Sequence, residues 1–460
     1  MILKKNITKI FYLFILSHLV IWTLIPSISN LNLPLDTIEA LAWGSNLDWG
    51  FTKHPPFSAF LVNIVYFIFR ATDTAYYFLS QVCVILSFFI VWKFSQDFFN
   101  NKIYPLLSIL ILESLVFFNY TTPEFNVYVC QLPLKAALIY FFWQSINSNK
   151  INYWILVGFL SALGVLTHYS FTILILSLFI YFIFFLKKNK KILKNFLISL
   201  LIFIVTISPH IIWLFDNNFE TMNYAFKRSG LENKNLINHL LSPLSFIFKQ
   251  IGMTIIFFLS LFTLIAYKKF KKFNLKLMDR KLIFLLCINI LPLIIILFIS
   301  LLSGAKIRTM WMSTFYLFFG VMVFYFFKDL INIKKINNFL YIICFLFFLS
   351  PVTYYYVSIS NDFKRTDFPG KEISRLVQNK WNENFVNEIK IVVGDEWFAG
   401  NLSYHLDNRP TWFNDLSEKA NEIKKNYGVI YVGNPKALKK ICPGVFGTIK
   451  PNGYCMIGQK

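Results

Sequence analysis

Long runs of apolar residues follow one another along most of the chain. Eleven of them approach or reach the length that a helix needs to cross a bilayer, and they occupy residues 7–28, 75–97, 103–119, 127–145, 152–167, 169–186, 192–215, 244–267, 281–303, 308–327 and 337–358. Such runs are too long and too frequent for a soluble core. The pattern predicts a polytopic α-helical membrane protein with about eleven transmembrane helices.

A shorter apolar segment at residues 57–70 decides the predicted topology. If it does not span, the lysine-rich loops at 187–194, 268–281 and 328–335 all lie on the side of the N-terminus, as the positive-inside rule requires. If it spans, the first of these loops moves to the opposite side. We therefore predict a juxtamembrane helix that lies along the outer interface or re-enters from it, a cytoplasmic N-terminus and an external C-terminus.

The composition changes sharply after Ser358, where the apolar runs stop. From Glu388 onward the sequence is typical of a strand, a turn and a short helix, and a second strand follows near residues 427–434. We predict two parts: a transmembrane domain at 1–358, with its first external loop at 29–74, and a small soluble α/β domain at 359–460.

The net charge of +22 changes little in this interpretation. The lysines are concentrated in the short segments between apolar runs, where they set the orientation of the helices and contact membrane lipids. This explains the charge without a nucleic-acid partner.

The cysteines do not form a metal or redox motif. Two of the six, Cys442 and Cys455, lie in the C-terminal domain, where a disulfide is plausible if that domain faces an oxidising compartment. The sequence leaves open whether they are bonded or free. The others lie in apolar runs without a CxxC pair, and they are Cys83, Cys130, Cys287 and Cys344.

The first external loop carries the most informative polar residues. Asp36 and Glu39 share one face if this part is helical, and Lys53 and His54 precede a rigid Pro-Pro pair. Carboxylates and cations together at a membrane surface suit catalysis on an anionic lipid, because a carboxylate can take a proton while a cation holds a phosphate leaving group. The alternative is a solvated loop that begins with a helix cap.

Two charged residues fall inside predicted spans. Glu113 and Lys135 are expected at depths that agree within about 3 Å, since an α-helix rises about 1.5 Å per residue. An unpaired charge in lipid costs at least about 2.5 kcal/mol. We therefore predict that these two residues pair or that they face a polar cavity.

The first-loop pattern, Asp36 and Glu39 followed by Asp48 to Pro56, resembles that of family 39 glycosyltransferases with the GT-C fold. This group includes the protein O-mannosyltransferases and the bacterial aminoarabinose transferase that modifies lipid A. Further similar elements follow in the same order along most of the chain: Glu124-Phe125-Asn126, Leu132-Pro133, Gly158 to Tyr169, Ser208-Pro209-His210 with Trp213, Tyr224-Ala225 and Val393-Gly394-Asp395.

The resemblance implies an inverting transfer of a sugar from a polyprenyl-phosphate donor. It assigns Asp36 as the catalytic base or acceptor-orienting group, with Glu39 in support, and Lys53 as the contact to the donor phosphate. His54 stands where the aminoarabinose transferase more commonly has the lysine directly before proline, so either residue could bind the phosphate. Some relatives have been discussed with a divalent metal, but no ligand cluster in this sequence requires a metal or other cofactor.

Further residues are candidates for substrate contacts. Lys306 and Arg308 could clamp the lipid phosphate, or could be boundary residues that snorkel towards water. The remaining candidates for substrate binding are Glu124, Asn126, His168, Tyr169 and His210. For the two histidines, a structural role at a helix end competes with the binding role.

The preferred function is a glycosyltransferase of the bacterial inner membrane that acts on its periplasmic face. Its acceptor would be lipid A or another lipopolysaccharide component, and the aminoarabinose transferase makes an amino sugar a reasonable donor group. Transfer to protein is an alternative. A flippase of lipid-linked sugars is another, although its usual internal repeats and interrupted helix pairs are absent from the sequence. An assembly factor would leave the first-loop charges unexplained.

Overall fold

The protein consists of a helical bundle followed by a small mixed α/β domain, so the predicted fold class is confirmed. The computed structural model describes residues 6–185, 189–230, 235–266, 279–416 and 426–460. The lysine clusters predicted to set the topology fall partly outside the described residues, at 186–188 and 267–278.

The bundle and its connecting loops contain fifteen named α-helices among the described residues. They are α1 (Ile7–Ser29), α2 (Leu35–Ser45), α3 (Phe57–Phe69), α4 (Asp73–Ser95), α5 (Ile103–Leu110), α6 (Val127–Ser148), α7 (Ile151–Thr167), α8 (Phe171–Phe185), α9 (Lys190–Asp216), α10 (Glu220–Arg228), α11 (Asn238–Phe262), α12 (Arg280–Asn289), α13 (Leu291–Ser303), α14 (Phe319–Phe326) and α15 (Ile336–Ser360). Short 3₁₀ segments occur at Ile111–Ser114, Val116–Phe118, Thr309–Phe318, Ile333–Lys335 and Arg365–Asp367.

Several of these helices are long enough to cross a membrane. Within the described part of the chain, seven helical segments have both the length and the apolar composition of a span. Four further apolar helices are shorter, and one of them is α3, the 13-residue segment predicted as a juxtamembrane helix. The chain is therefore a multi-pass membrane protein.

The segment predicted to span at 103–119 is not one continuous helix. Helix α5 ends at Leu110 and two 3₁₀ turns follow, with an extended residue, Leu115, between them. The Asn119 amide donates hydrogen bonds to the Glu113 backbone carbonyl (2.8 Å) and to its carboxylate (3.2 Å). Irregular backbone is tolerated at membrane depth where protein surrounds it, and Glu113 is buried.

The predicted pairing of Glu113 with Lys135 is wrong. The Glu113 carboxylate lies 2.7 Å from Nδ1 of His18 on α1. Lys135 instead donates a hydrogen bond to Thr314, and its ammonium lies 3.4 Å from the centre of the Phe315 ring. The helix expected to carry Glu113 ends at Leu110, and the 3₁₀ turn that follows brings the carboxylate to His18 and Asn119 instead of Lys135.

The separation of these two charges predicts how their substitutions combine. Glu113→Gln and His18→Gln remove the same buried contact, so we expect their effects on the free energy of unfolding to couple by about 0.5–3 kcal/mol. Glu113 and Lys135 have no contact partner in common within the described residues, so the effects of Glu113→Gln and Lys135→Met should add within about 0.5 kcal/mol. Denaturation of the reconstituted protein measures both cycles. Strong coupling in the second cycle would contradict the observed arrangement.

The C-terminal domain is built on a five-stranded sheet. In chain order its elements are α16 (Gly370–Asn384), β1 (Ile389–Val393), α17 (Phe398–His405), β2 (Thr411–Phe413), β3 (Gly428–Gly433), α18 (Pro435–Ile441), β4 (Val445–Ile449) and β5 (Asn452–Ile457). The strand order is β2-β1-β3-β5-β4, with β1 parallel to both neighbours and the β3, β5 and β4 pairs antiparallel.

The two tail cysteines, which the sequence left open, form a disulfide. Cys442, directly after α18, is bonded to Cys455 on β5, with Cα atoms 5.5 Å apart. The bond fastens α18 to the sheet. Disulfides persist in oxidising compartments, so this bond favours an extracytoplasmic position for the domain.

Polar contacts dock the C-terminal domain onto the first loop and the helices around it. The Arg409 guanidinium donates a hydrogen bond to the Asn63 side chain on α3 (2.7 Å) and lies 3.7 Å from the centre of the Tyr66 ring. The Tyr404 hydroxyl donates to the carboxylate of Asp73 at the start of α4 (2.6 Å). These contacts fix the end of β1 above α2, where the most informative polar residues of the sequence lie.

Candidate active site

A cavity of about 910 Å³ lies between the end of the bundle and the C-terminal domain. Its volume is within the range of about 300–1,000 Å³ that is usual for ligand sites. The wall contains five carboxyl groups and five cationic groups. They are Asp36, Glu39, Glu124, Asp395 and Glu396, and Lys53, Arg228, Arg308, Lys364 and Arg365. Apolar and aromatic side chains, among them Tyr128, Ile173, Met310, Trp311 and Trp397, complete the wall.

Lys53 is held between carboxylates from two domains. Its Nζ lies 2.7 Å from Oε1 of Glu39 on α2 and 3.3 Å from Oε1 of Glu396 in the C-terminal domain. Burial lowers the pKa of Lys53, but the hydrogen bonds and charges of the two carboxylates outweigh this and hold the pKa above its usual value. The ammonium is therefore charged at neutral pH and fixed in position.

The turn after β1 explains how Glu396 reaches the bundle. Gly394 adopts φ +148°, and a Cβ at this position would lie 2.6 Å from the Val432 carbonyl oxygen, so a larger residue does not fit. The Asp395 carboxylate then accepts hydrogen bonds from the backbone N–H groups of Trp397 and Phe398 and starts α17. This cap uses Asp395 structurally and leaves Glu396 to contact Lys53.

Asp36 lies at the first turn of α2 beside a second carboxyl group. Pro34 precedes the helix and offers no side-chain cap, and the Asp36 backbone N–H donates instead to Oε1 of Glu124 (3.1 Å). Burial raises the pKa of Asp36, and it raises that of Glu124 to about 8, with the Asp36 charge adding to the second shift. At neutral pH, Glu124 therefore holds a proton, whereas the nearby cations, Lys53 first among them, oppose the rise in the pKa of Asp36.

The high pKa of Glu124 predicts a specific dependence of stability on pH. Because the native state keeps this proton up to about pH 8 and the unfolded chain releases it near 4.5, the native state is destabilised as pH rises between these values. Glu124→Gln removes this contribution. We expect the variant's Tm, relative to that of the wild type, to rise from pH 5 to pH 8. A constant difference would show that Glu124 is ionised throughout.

Glu39 occupies a partly different environment from Asp36. Its side chain is buried, and burial raises its pKa even though the Lys53 ammonium opposes the shift. With one oxygen bonded to Lys53, Glu39 holds the ammonium in place.

The histidines predicted at the site divide into two groups. His54 and His168 both line the cavity with ring centres 5.3 Å apart, and burial lowers the pKa of His54 well below its usual value, so this ring is neutral. His210 lies outside the wall. Its Nδ1 donates to the Trp49 carbonyl (2.6 Å), and its Nε2 accepts from the Tyr169 hydroxyl (2.9 Å). His210 therefore joins the first loop to Tyr169 in the turn between α7 and α8, and both of its ring nitrogens are used.

Most of the residues predicted from the sequence meet in this cavity. Asp36, Glu39, Lys53, His54, Glu124, His168, Tyr169 and Arg308 line it. Asn126 caps α6 by accepting hydrogen bonds from the backbone N–H groups of Tyr128 and Val129. Lys306 is exposed and lies outside the wall, with its backbone N–H bonded to the Ser229 carbonyl. The catalytic and binding roles of all these residues remain predictions.

Four charged residues of the wall were not singled out in the sequence. They are Arg228, Lys364, Arg365 and Glu396. Arg228 lies in the loop between α9 and α11, and Glu396 directly follows the Val393-Gly394-Asp395 element. A search for charges in the loops on the predicted external side would have found them, but it would not have separated them from the other charged residues there.

Within the described ranges, no group of three or more His, Cys, Asp or Glu side chains is arranged to hold a metal ion.

A family model and solved structures match the chain. Residues 53–213 match the family described as dolichyl-phosphate-mannose-protein mannosyltransferase. No curated protein matches the chain by sequence.

Two crystal structures of ArnT from Cupriavidus metallidurans share the fold. With the structure bound to undecaprenyl phosphate, the alignment covers 97% of each chain, with a TM-score of 0.64 and 11% sequence identity. With the apo structure, the alignment covers 98% of each chain, with a TM-score of 0.66 and 11% sequence identity. The predicted resemblance is confirmed over nearly the whole length: the chain is a GT-C-fold membrane protein similar to ArnT, with a mannosyltransferase-family match across residues 53–213.

Proposed function

We propose that the protein is an inverting glycosyltransferase that moves a sugar from a polyprenyl-phosphate donor to a cell-envelope acceptor. The observation that carries this proposal is the position of Lys53, a partly buried charged ammonium that lines the same cavity as Asp36, between the bundle and the C-terminal domain. A cation at this place can bind the phosphate of a membrane-anchored donor. The family match and the fold of a protein crystallised with undecaprenyl phosphate support this donor class.

The reaction follows from the two kinds of charge in the cavity. The Asp36 carboxylate accepts the proton of an acceptor hydroxyl, and the hydroxyl oxygen attacks the anomeric carbon of the donor sugar. The bond from that carbon to the phosphate oxygen breaks, and the polyprenyl phosphate leaves with the electron pair. Attack from the face opposite the leaving group inverts the configuration at the anomeric carbon.

The cations stabilise the leaving group. Negative charge grows on the phosphate as the bond breaks, so a fixed ammonium and guanidinium groups stabilise the transition state more than the ground state. Lys53 provides the central contact, and Arg228 and Arg308 supply further positive charge in the wall of the same cavity. Glu39 and Glu396 hold Lys53 before the donor arrives, and the phosphate must then compete with them for the ammonium.

The acceptor and the compartment are part of the same proposal. The preferred acceptor is lipid A or another lipopolysaccharide component, with an amino sugar as the transferred group, on the periplasmic side of the inner membrane. The Cys442–Cys455 disulfide supports an oxidising compartment for the C-terminal domain. Transfer to a protein is the second candidate, because the matching family acts on proteins by its description.

Mass spectrometry of the cell envelope tests the proposal. Lipid A, lipopolysaccharide and glycoproteins are compared between cells that lack the gene and cells complemented with wild type or with equally expressed Asp36→Asn. We expect one sugar-sized mass increment to disappear on deletion and to return only with wild type. The fraction that changes identifies the acceptor. Unchanged spectra in all three fractions would contradict the transferase function.

A further inference from the structure

A second cavity of about 670 Å³ adjoins the one that holds Lys53. Gly50, Phe51 and Thr52 line it, whereas Lys53, the next residue, lines the first cavity. Tyr224 lines both. The two cavities therefore meet at the short segment that precedes the catalytic lysine.

Three tryptophans give this cavity rigid aromatic walls. Trp43 stacks on Phe51 with ring centres 5.5 Å apart, and Trp213 stacks on His210 at 6.0 Å. The Trp412 indole N–H donates to a backbone carbonyl in the C-terminal domain (3.0 Å). The rings are thus fixed before a ligand arrives, which reduces the entropy lost on binding.

Close packing and hydrogen bonds fix the segment between the cavities. A Cβ at Gly50 would lie 2.3 Å from the Trp213 ring, so the backbone approaches this ring as closely as only glycine permits. The Thr52 hydroxyl donates to Glu220 (2.8 Å), and the Thr221 hydroxyl donates to the Phe51 carbonyl (2.6 Å). Both contacts join the segment to α10.

Polar groups surround the aromatic walls, as a saccharide requires. Sugars present C–H faces that pack on aromatic rings and hydroxyl groups that bond to amides and carboxylates. The cavity offers these groups in Asp216 and in the asparagines Asn46, Asn217, Asn218, Asn223 and Asn414. The Trp213 indole N–H is buried and has no hydrogen-bond partner within the described residues.

The charge of the second cavity differs from that of the first. Asp216, Glu220 and Asp415 line it, and Lys227 is the one cation among its described lining residues. Asp216 is also the last residue of α9, where the helix dipole disfavours a negative charge, so its presence costs stability there. An acidic wall repels phosphate, attracts the ammonium group of an amino sugar and does not repel a neutral sugar.

We propose that the second cavity binds the saccharide of the acceptor, a neutral or amino sugar without phosphate. The inference rests on the proposed function and specifies its acceptor. The donor sugar is bonded directly to a phosphate and belongs with the cations of the first cavity. Consecutive Cα atoms lie about 3.8 Å apart, so a saccharide beside Thr52 lies within one residue of Lys53, where its hydroxyl can enter the first cavity.

Saturation-transfer NMR on the full chain tests this binding directly. The protein is reconstituted in lipid nanodiscs free of glycoside detergents, and the probes are glucosamine, glucose and glucose 1-phosphate. We expect glucosamine and glucose to bind and glucose 1-phosphate to bind at least roughly tenfold more weakly. Asp216→Lys should weaken glucosamine binding by roughly tenfold and strengthen glucose 1-phosphate binding. Asp362→Lys, an exposed position outside both cavities, is the matched control.

Further variants and a competing ligand test saccharide binding in the second cavity independently of the proposed transferase function. Asn414→Ala should weaken glucosamine binding without a change of charge, whereas Asp36→Asn should bind it as wild type does. A short-chain prenyl phosphate should not displace glucosamine; displacement would assign the cavity to the donor and overturn the proposal. Equal binding by wild type and Asp216→Lys, or preference for glucose 1-phosphate, would also overturn it. Saccharide binding without any sugar transfer would instead refute the proposed function alone.

Discussion

Asp36→Asn is expected to lower kcat for sugar transfer by about 10²–10⁴-fold, the usual contribution of a general base. The amide has nearly the shape of the carboxylate and preserves the backbone N–H that donates to Glu124, so the helix start should remain intact. The loss should appear in kcat with little change in the donor KM, because proton removal belongs to the transition state.

The control for this variant is Asp48→Asn, the same change in the same loop but outside the cavity wall. Asp48 accepts a hydrogen bond from its neighbour's backbone N–H and should keep wild-type turnover. In wild type, kcat should fall as pH drops through the raised pKa of Asp36, since only the carboxylate accepts a proton. Full turnover by Asp36→Asn would remove Asp36 from the mechanism and shift attention to Glu39.

Lys53→Met is expected to reduce kcat/KM for the donor by about 10²–10³-fold, the cost of removing one donor from a site where negative charge develops. Methionine keeps much of the lysine stem, so the packing of the segment is largely preserved. The substitution leaves Glu39 and Glu396 without their shared cation. Part of the damage should therefore be a loss of stability, because Glu39 is buried.

A second substitution separates these two effects. Glu39→Gln in the Lys53→Met background should restore thermal stability, because it removes the uncompensated buried charge, but it should not restore turnover. Lys371→Met, an exposed change on α16, serves as the control. Release of polyprenyl phosphate from a synthetic donor measures turnover in all variants. Recovery of both stability and turnover in the double variant would show that Lys53 only neutralises Glu39.

Glu396 carries a further consequence for donor binding. In the proposed mechanism Glu396 releases Lys53 when the phosphate arrives, so the C-terminal domain and the donor would compete for one ammonium. The same contact places a residue of the C-terminal domain in the active cavity, a connection that no local pattern in the sequence indicates.

Much of the candidate site could be predicted because its main residues lie close together in the sequence. Asp36, Glu39, Lys53 and His54 fall within one loop, and their order relative to the Pro-Pro pair carried the family resemblance. Their helical placement follows from local spacing, since residues three apart share one face of α2. Glu124 and His168 belong to segments further along the chain that also resemble the family, and both line the same cavity as the first-loop residues.

The wrong pairing of Glu113 with Lys135 came from contacts between distant segments. The depths of the two residues were estimated from continuous helices, but Glu113 lies on a 3₁₀ turn beyond the end of α5, and the partners of both residues depend on which distant segments pack against them. Lys306 and Arg308 are two residues apart and were equivalent in the sequence, yet only Arg308 lines the cavity. A two-residue separation was enough to give these neighbours different positions relative to the cavity.

The sequence by itself determined the membrane class, the division near residue 358, the GT-C resemblance and the charged first loop. These features depend on segment hydrophobicity and on residues close together in the chain, both of which are local properties. Only the tertiary structure decided that Glu396 contacts Lys53, that Glu124 meets Asp36, and that a second aromatic and acidic cavity adjoins the first. These features depend on which surfaces of distant segments face each other, and that is set by packing throughout the bundle.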